Sequence, residues 1–178
     1  MAITIIVEDG SMPSGANSYV SLGEFAEYAE ERGQGAEWNK FDESSRQSAL
    51  IRAADTLNTY NWKGSPAESG RVMTWPRKGM VYADGATVPE SFIPTQMKLA
   101  QCELAMNVLF NSVDPLAPVD TASGAVTSER VDVISVSYGD PSTNNYSGQT
   151  GYPAVDAWLK PFLKGGSGRF SLGEIGRG

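Results

Sequence analysis

The sequence predicts a mainly α fold: a small helical bundle around a central buried helix, with a short β-hairpin excursion and extended N- and C-terminal arms. Three observations carry this. From Met97 to Phe110 apolar side chains cover most of the girth of one helix-forming stretch, interrupted only by Lys98, Gln101, Glu103 and Asn107, so that helix needs neighbours on several sides. Two earlier stretches combine apolar residues at helical spacing with residues suited to N-caps. The 19 glycines and 10 prolines gather in residues 64–94, 113–124 and beyond Gly139, which reads as loops and arms around a compact core. At 178 residues one domain is the default, with residues 1–163 as the helical domain and 164–178 as a C-terminal arm.

Taken in order, Ile3 to Val7 is a short β-prone run followed by the turn-rich Asp9 to Asn17. Ser21-Leu-Gly-Glu24 has capping-box spacing and opens a helix that carries Leu22, Phe25, Ala26 and Ala29 on one side and stops at Gly33. Trp38 and Phe41 cover the next junction. Asp42 and Ser44 are candidate caps for a second helix through Thr59, whose packed face is Ala49, Leu50, Ala53, Ala54, Leu57 and Tyr60. Residues 61–92 form a long ordered loop, pinned by its aromatics. Within it Trp75 precedes Pro76, is kept out of the helical region, and is expected to plug its ring into the helices.

The central helix is expected over Ile93 to Asn111, with Pro94 in its first turn and Ser91 as its cap. It is too short and too interrupted to cross a bilayer. Residues 125–139 read as the β excursion. A slip of phase between Val131, Val133 and Ile134, Val136, Tyr138 implies a bulge or a hairpin turn near Arg130 to Asp132. Pro153 opens a last short helix with Val155, Trp158, Leu159 and Phe162 as its apolar side, too brief to stand without docking.

Composition excludes much chemistry. The chain has no histidine, so the commonest general base and metal ligand is missing, along with every Ser-His or Cys-His nucleophile. One cysteine, Cys102, makes neither a disulfide nor a zinc site and reads as a core thiol. No phosphate-cradling glycine loop or dinucleotide fingerprint appears. Glu30-Glu31 and Asp42-Glu43 are sequence neighbours that do not face one another on a helix. No catalysis, cofactor or metal is expected. The N-terminus lacks a basic n-region, so no secretory signal is expected, and a reducing, soluble compartment fits.

Net charge is −7, which argues against wholesale coating by nucleic acid. The charge is sorted, however. Residues 1–57 hold 4 basic and 10 acidic side chains. The balance reverses between Asn58 and Met80, where Lys63, Arg71, Arg77 and Lys78 face Glu68, and again after Asp156, with Lys160, Lys164, Arg169 and Arg177 against Glu174. Trp62, Lys63, Arg71, Trp75, Arg77 and Lys78 make a candidate patch for single-stranded DNA, tryptophans stacking on bases beside cations. The glycine-flanked end, with Arg169, Phe170, Ser171, Leu172 and Ile175, reads as a docking arm that inserts apolar anchors into a partner.

Val7-Glu-Asp-Gly10, Ala16-Asn-Ser-Tyr-Val20, Ala49-Leu-Ile-Arg-Ala-Ala-Asp55, Tyr60-Asn-Trp-Lys-Gly64, Trp75-Pro-Arg77, Asp84-Gly85, Ile93-Pro94 and Tyr152-Pro-Ala-Val-Asp156 follow one another in a specific order. Over nearly its whole length the chain thereby resembles a family of tailed-bacteriophage proteins usually labelled DnaT-like single-stranded-DNA-binding protein. Its members look like head-to-tail adaptor (head completion) proteins. The resemblance implies a structural virion protein of the neck, assembled in the host cytoplasm as a dodecameric homo-oligomeric ring beneath the portal. That ring would extend the channel for genomic double-stranded DNA and bind the portal protein and a downstream neck or tail connector, with no membrane partner. In that reading the arm from Arg169 to Ile175 docks on the portal, and acidic residues of 1–57 line the channel. The alternative, suggested by the family label, is a single-stranded-DNA-binding replication accessory protein using the tryptophan patch.

Overall fold

The computed structural model describes residues 3–82, 85–112, 116, 128–131, 134–137 and 152–164. Its helices are α1 (Leu22–Glu31), α2 (Gly35–Trp38), α3 (Glu43–Asn58), α4 (Thr95–Asn111) and α5 (Pro153–Leu159), which runs into a 3-10 turn over Lys160–Phe162. Two antiparallel pairs accompany them. β1 (Ser65–Pro66) pairs with β2 (Arg77–Lys78), and β3 (Ser128–Val131) with β4 (Ile134–Ser137). Mainly helical architecture with a small hairpin is therefore what the chain adopts. Val131 faces Ile134 in register, which agrees with the hairpin expected near Arg130 to Asp132.

Helix α4 is the centre. It packs against α3 along one side and α5 on another, with α1 touching it as well. Met97, Ala100, Gln101, Cys102, Leu104, Ala105, Met106 and Leu109 are all buried on it. Ala49 and Ala53 on α3 and Ala100 and Ala105 on α4 are buried, and side chains this small allow packed helices a close approach. Gln101 looked like a polar interruption, yet it is fully buried. Its amide nitrogen donates to Ser18 Oγ (2.8 Å) and the Leu50 carbonyl (2.9 Å), and its Oε1 accepts from the Tyr19 N–H (2.8 Å). One side chain thus ties the N-terminal arm, α3 and α4 together without leaving an orphan polar group.

Local chemistry sets the ends. Ser21 and Glu24 form the capping box of α1, and Asp42 caps α3 by accepting from the Ser45 N–H at 2.7 Å. Ser44 is not the cap; its hydroxyl donates to Asp42. Helix α4 starts at Thr95, later than the expected Ile93, because Pro94 occupies the N-cap position and holds the residue before it extended. Ser91 makes no cap either. Its carbonyl is instead pressed against Gly10, where an added Cβ would lie 1.9 Å away. The short α2 was not apparent in the sequence, since one turn has too few residues for a period. Ile3–Val7 contributes a single bridge, Val7 to Ser18, rather than a strand. The arm is held by Asn17, which accepts from the Ile6 N–H and donates to the Thr4 carbonyl.

The long loop after α3 is fastened by an aromatic ladder. Tyr60, Trp62, Trp75 and Phe162 follow one another in T-shaped contacts with ring centroids 5.6–5.7 Å apart. Each such pair adds about 0.5–1.5 kcal/mol beyond the area it buries. Trp75 is wholly buried, as its place before Pro76 led one to expect. The ladder brings the stretch after α3 against the stretch after α5.

Candidate nucleic-acid interface

Four lysines meet where those two stretches join. Trp62 bridges Leu163 in antiparallel fashion; the Lys63 N–H donates to the Phe162 carbonyl (2.8 Å) and the Lys164 N–H to the Asn61 carbonyl (2.8 Å). Side chains alternate along such a pairing. Trp62 and Leu163 therefore point in, while Lys63 and Lys164 point toward solvent. Lys160 lies on the 3-10 turn beside them, and Lys63 Nζ donates to the Pro161 carbonyl at 2.7 Å. Lys78 joins from β2, where it faces Ser65, and its carbonyl is so close to Gly64 that a Cβ there would lie 2.4 Å from it. Lys78, Lys160 and Lys164 are exposed and Lys63 is half-buried. Among the described residues none of the four makes an ion pair.

Arg77 shapes this seam from beneath. Its buried guanidinium donates to the carbonyls of Lys63 (2.6 Å), Gly64 (3.0 Å) and Thr74 (2.9 Å). Burial pulls it below the ordinary arginine value, which still leaves it charged at neutral pH. Three carbonyl acceptors on two separate segments of the loop make Arg77 a clamp, not a free cation. Arg71 is also engaged: it pairs with the fully buried Glu8 at 2.5 Å and donates to the Pro13 carbonyl. The two segments it joins border a cleft of about 450 Å³ between residues 12–16 and 68–73.

The six residues of the sequence-predicted patch are thus split by the fold. Lys63 and Lys78 stay at the surface. Trp62 and Trp75 are inside, Trp62 donating its Nε1–H to the Leu57 carbonyl, so their rings do not offer faces to bases. Arg71 and Arg77 are committed to internal partners. The physical reason is alternation: in the extended Trp62–Lys63 pair the ring goes in and the adjacent cation goes out, whereas Trp75 and Arg77, two residues apart, are both buried. Lys160 and Lys164 were visible as a charge reversal, but nothing in the sequence placed them beside Lys63. Arg169, Phe170, Ser171, Leu172 and Ile175, the expected docking arm, lie outside the described residues.

Other chemistry is sparse. Burial pushes the Cys102 thiol up to about 12, which marks it as a core group rather than a nucleophile. Among the described residues no cluster of three His, Cys, Asp or Glu side chains could hold a metal, and no helix is long and apolar enough to cross a membrane.

Comparison with curated proteins and with solved structures finds no match. A family model described as "Putative DnaT-like ssDNA binding protein" does match, over residues 3–178. This overturns the reading of the chain as a head-to-tail adaptor and virion ring subunit, because the family points to a DNA-binding protein and not to a connector. The match spans nearly the full length, and the chain belongs to this DnaT-like ssDNA binding family.

Proposed function

We propose that this protein is a non-catalytic module that binds single-stranded DNA along the seam of Lys63, Lys78, Lys160 and Lys164. The observation that carries the reading is the convergence, at one backbone junction of an otherwise acidic chain, of four lysines that make no ion pair among the described residues. Lysines held at the edges of paired segments can follow a phosphate backbone, and phosphate contact supplies most of the affinity in sequence-tolerant binding. The family description supports single strands as the ligand. The net charge of −7 supports a confined site, since the rest of the surface repels phosphate.

The test is a fluorescence-anisotropy titration of a labelled oligothymidylate across a range of salt. Four neutralised phosphates predict a slope of log K against log salt of about −3, since each contributes about −0.7 on single strands. Lys78→Ala and Lys160→Ala should each flatten that slope by about 0.7. A wild-type protein that gives no anisotropy change at low salt defeats the proposal.

A further inference from the structure

Beyond the lysine seam, β2 leads into a small projecting finger. The Val88 N–H donates to the Met80 carbonyl (2.9 Å), Val81 bridges Thr87, and the Tyr82 N–H donates to the Ala86 carbonyl (2.8 Å). Met80 and Val88 are buried and root the finger in the body. Val81 and Tyr82 are consecutive residues of a paired strand, so their side chains leave opposite faces. Both are nevertheless exposed, at 64% and 38%, so neither side chain is sealed into the core. Tyr82 is the one aromatic among the exposed large apolar side chains of the described residues. Its ring meets the half-buried Phe92 at 6.2 Å with the planes 69° apart, a contact that fixes its orientation and lowers the entropy lost when something stacks on it.

The geometry points to Tyr82 as the base-stacking platform of the DNA site, a part that the buried Trp62 and Trp75 do not play. This rests on the proposed DNA-binding reading and adds its base-contacting residue. Tyr82 follows Lys78 by four residues, so the two lie within about 14 Å along the chain, and a strand whose phosphates track the lysines brings a base to the finger. Lysines then supply the salt-dependent part of the affinity and Tyr82 a salt-independent part, because stacking releases no counterions.

The experiment is the same anisotropy titration with wild type, Tyr82→Ala and Tyr82→Phe, each checked for an unchanged melting curve. Tyr82→Ala should weaken binding by roughly 5- to 150-fold, the equivalent of the ~1–3 kcal/mol carried by one stacked base, at an unaltered salt slope. Tyr82→Phe should bind like wild type. Cross-linking of an iodouracil-substituted oligonucleotide to the wild-type protein gives a second readout that needs no variant, and the adduct should map to Tyr82. A wild-type protein that does not bind overturns the DNA-binding reading itself. Wild-type binding that Tyr82→Ala matches, or an adduct that maps away from the finger, overturns the stacking assignment alone and marks the finger as a surface for a protein partner.

Discussion

At the scale of single residues, buried polar groups do most of the organising. Glu8 is fully buried and accepts from the N–H groups of Gly10 (2.9 Å) and Met12 (3.1 Å) and from Arg71. This pair connects residues 63 positions apart and so fastens the N-terminal arm to the long loop. Removing the cation leaves a carboxylate in the interior with only two backbone donors. Arg71→Ala should therefore cost about 3 kcal/mol, the lower end for a broken buried pair, since Arg71 keeps some contact with water. For a chain of this size that is a fall in melting temperature of roughly 6–12 °C. Glu8→Gln keeps an acceptor and no net charge, and should lose less. Urea denaturation of both variants checks the order, and equal midpoints for Arg71→Ala and wild type would refute it. None of this was visible in Val7-Glu-Asp-Gly10, where Glu8 looked like any solvated acid.

At the scale of elements, the caps and the turn glycines were legible because their physics is local. The Ser21–Glu24 box, the Asp42 cap and Pro153 in the first turn of α5 each need only residues within one turn of each other. The junction of β1 and β2 was not legible, because it depends on a contact across the loop. Gly64 there adopts φ +66 and sits where a Cβ would lie 2.4 Å from the Lys78 carbonyl. Gly70, at φ +81, has nothing within 4 Å of the same position. Alanine at Gly70 should thus lose only the left-handed backbone cost of about 1–2 kcal/mol. Alanine at Gly64 should lose clearly more and weaken oligonucleotide binding as well, because it pushes apart the segments that carry Lys63 and Lys78. Thermal melts of the two variants side by side measure the difference, and equal losses would show that the close approach is not needed.

Across the whole molecule, burial and charge are segregated: acidic helices early in the chain, four of the six lysines at one junction, and titratable groups sealed in the core. Burial raises the Tyr19 phenol from 10.0 to about 12 and the Cys102 thiol from 9.0 to about 12. A group whose value is raised on folding holds its proton in the folded state while the unfolded chain gives it up. Its contribution is complete below the unfolded value and disappears as the pH climbs to the folded one. Stability should consequently decline from about pH 9 upward and go on falling toward pH 12. Denaturation midpoints followed through that range test this, and Cys102→Ala should flatten the first part of the decline. A midpoint that stays level above pH 10 would contradict the buried assignment of Tyr19.

The sequence by itself determined α1, α3, α4 and α5, the caps of α1 and α3, the centrality of α4 and the inward fate of Trp75, all of which follow from spacing, cap chemistry and the restriction before proline. It also located every lysine of the seam. What only the tertiary structure decided is which of those charges become neighbours and which aromatics remain outside. Trp62, Arg71 and Arg77 carry the residue types of a nucleic-acid patch, but a ring in water gains more by joining the ladder to Phe162, and a guanidinium gains more by clamping three carbonyls. Lys160 and Lys164 reach Lys63 only because α5 docks on α4, and the packing that seats it operates between segments about a hundred residues apart, where no local pattern can record it.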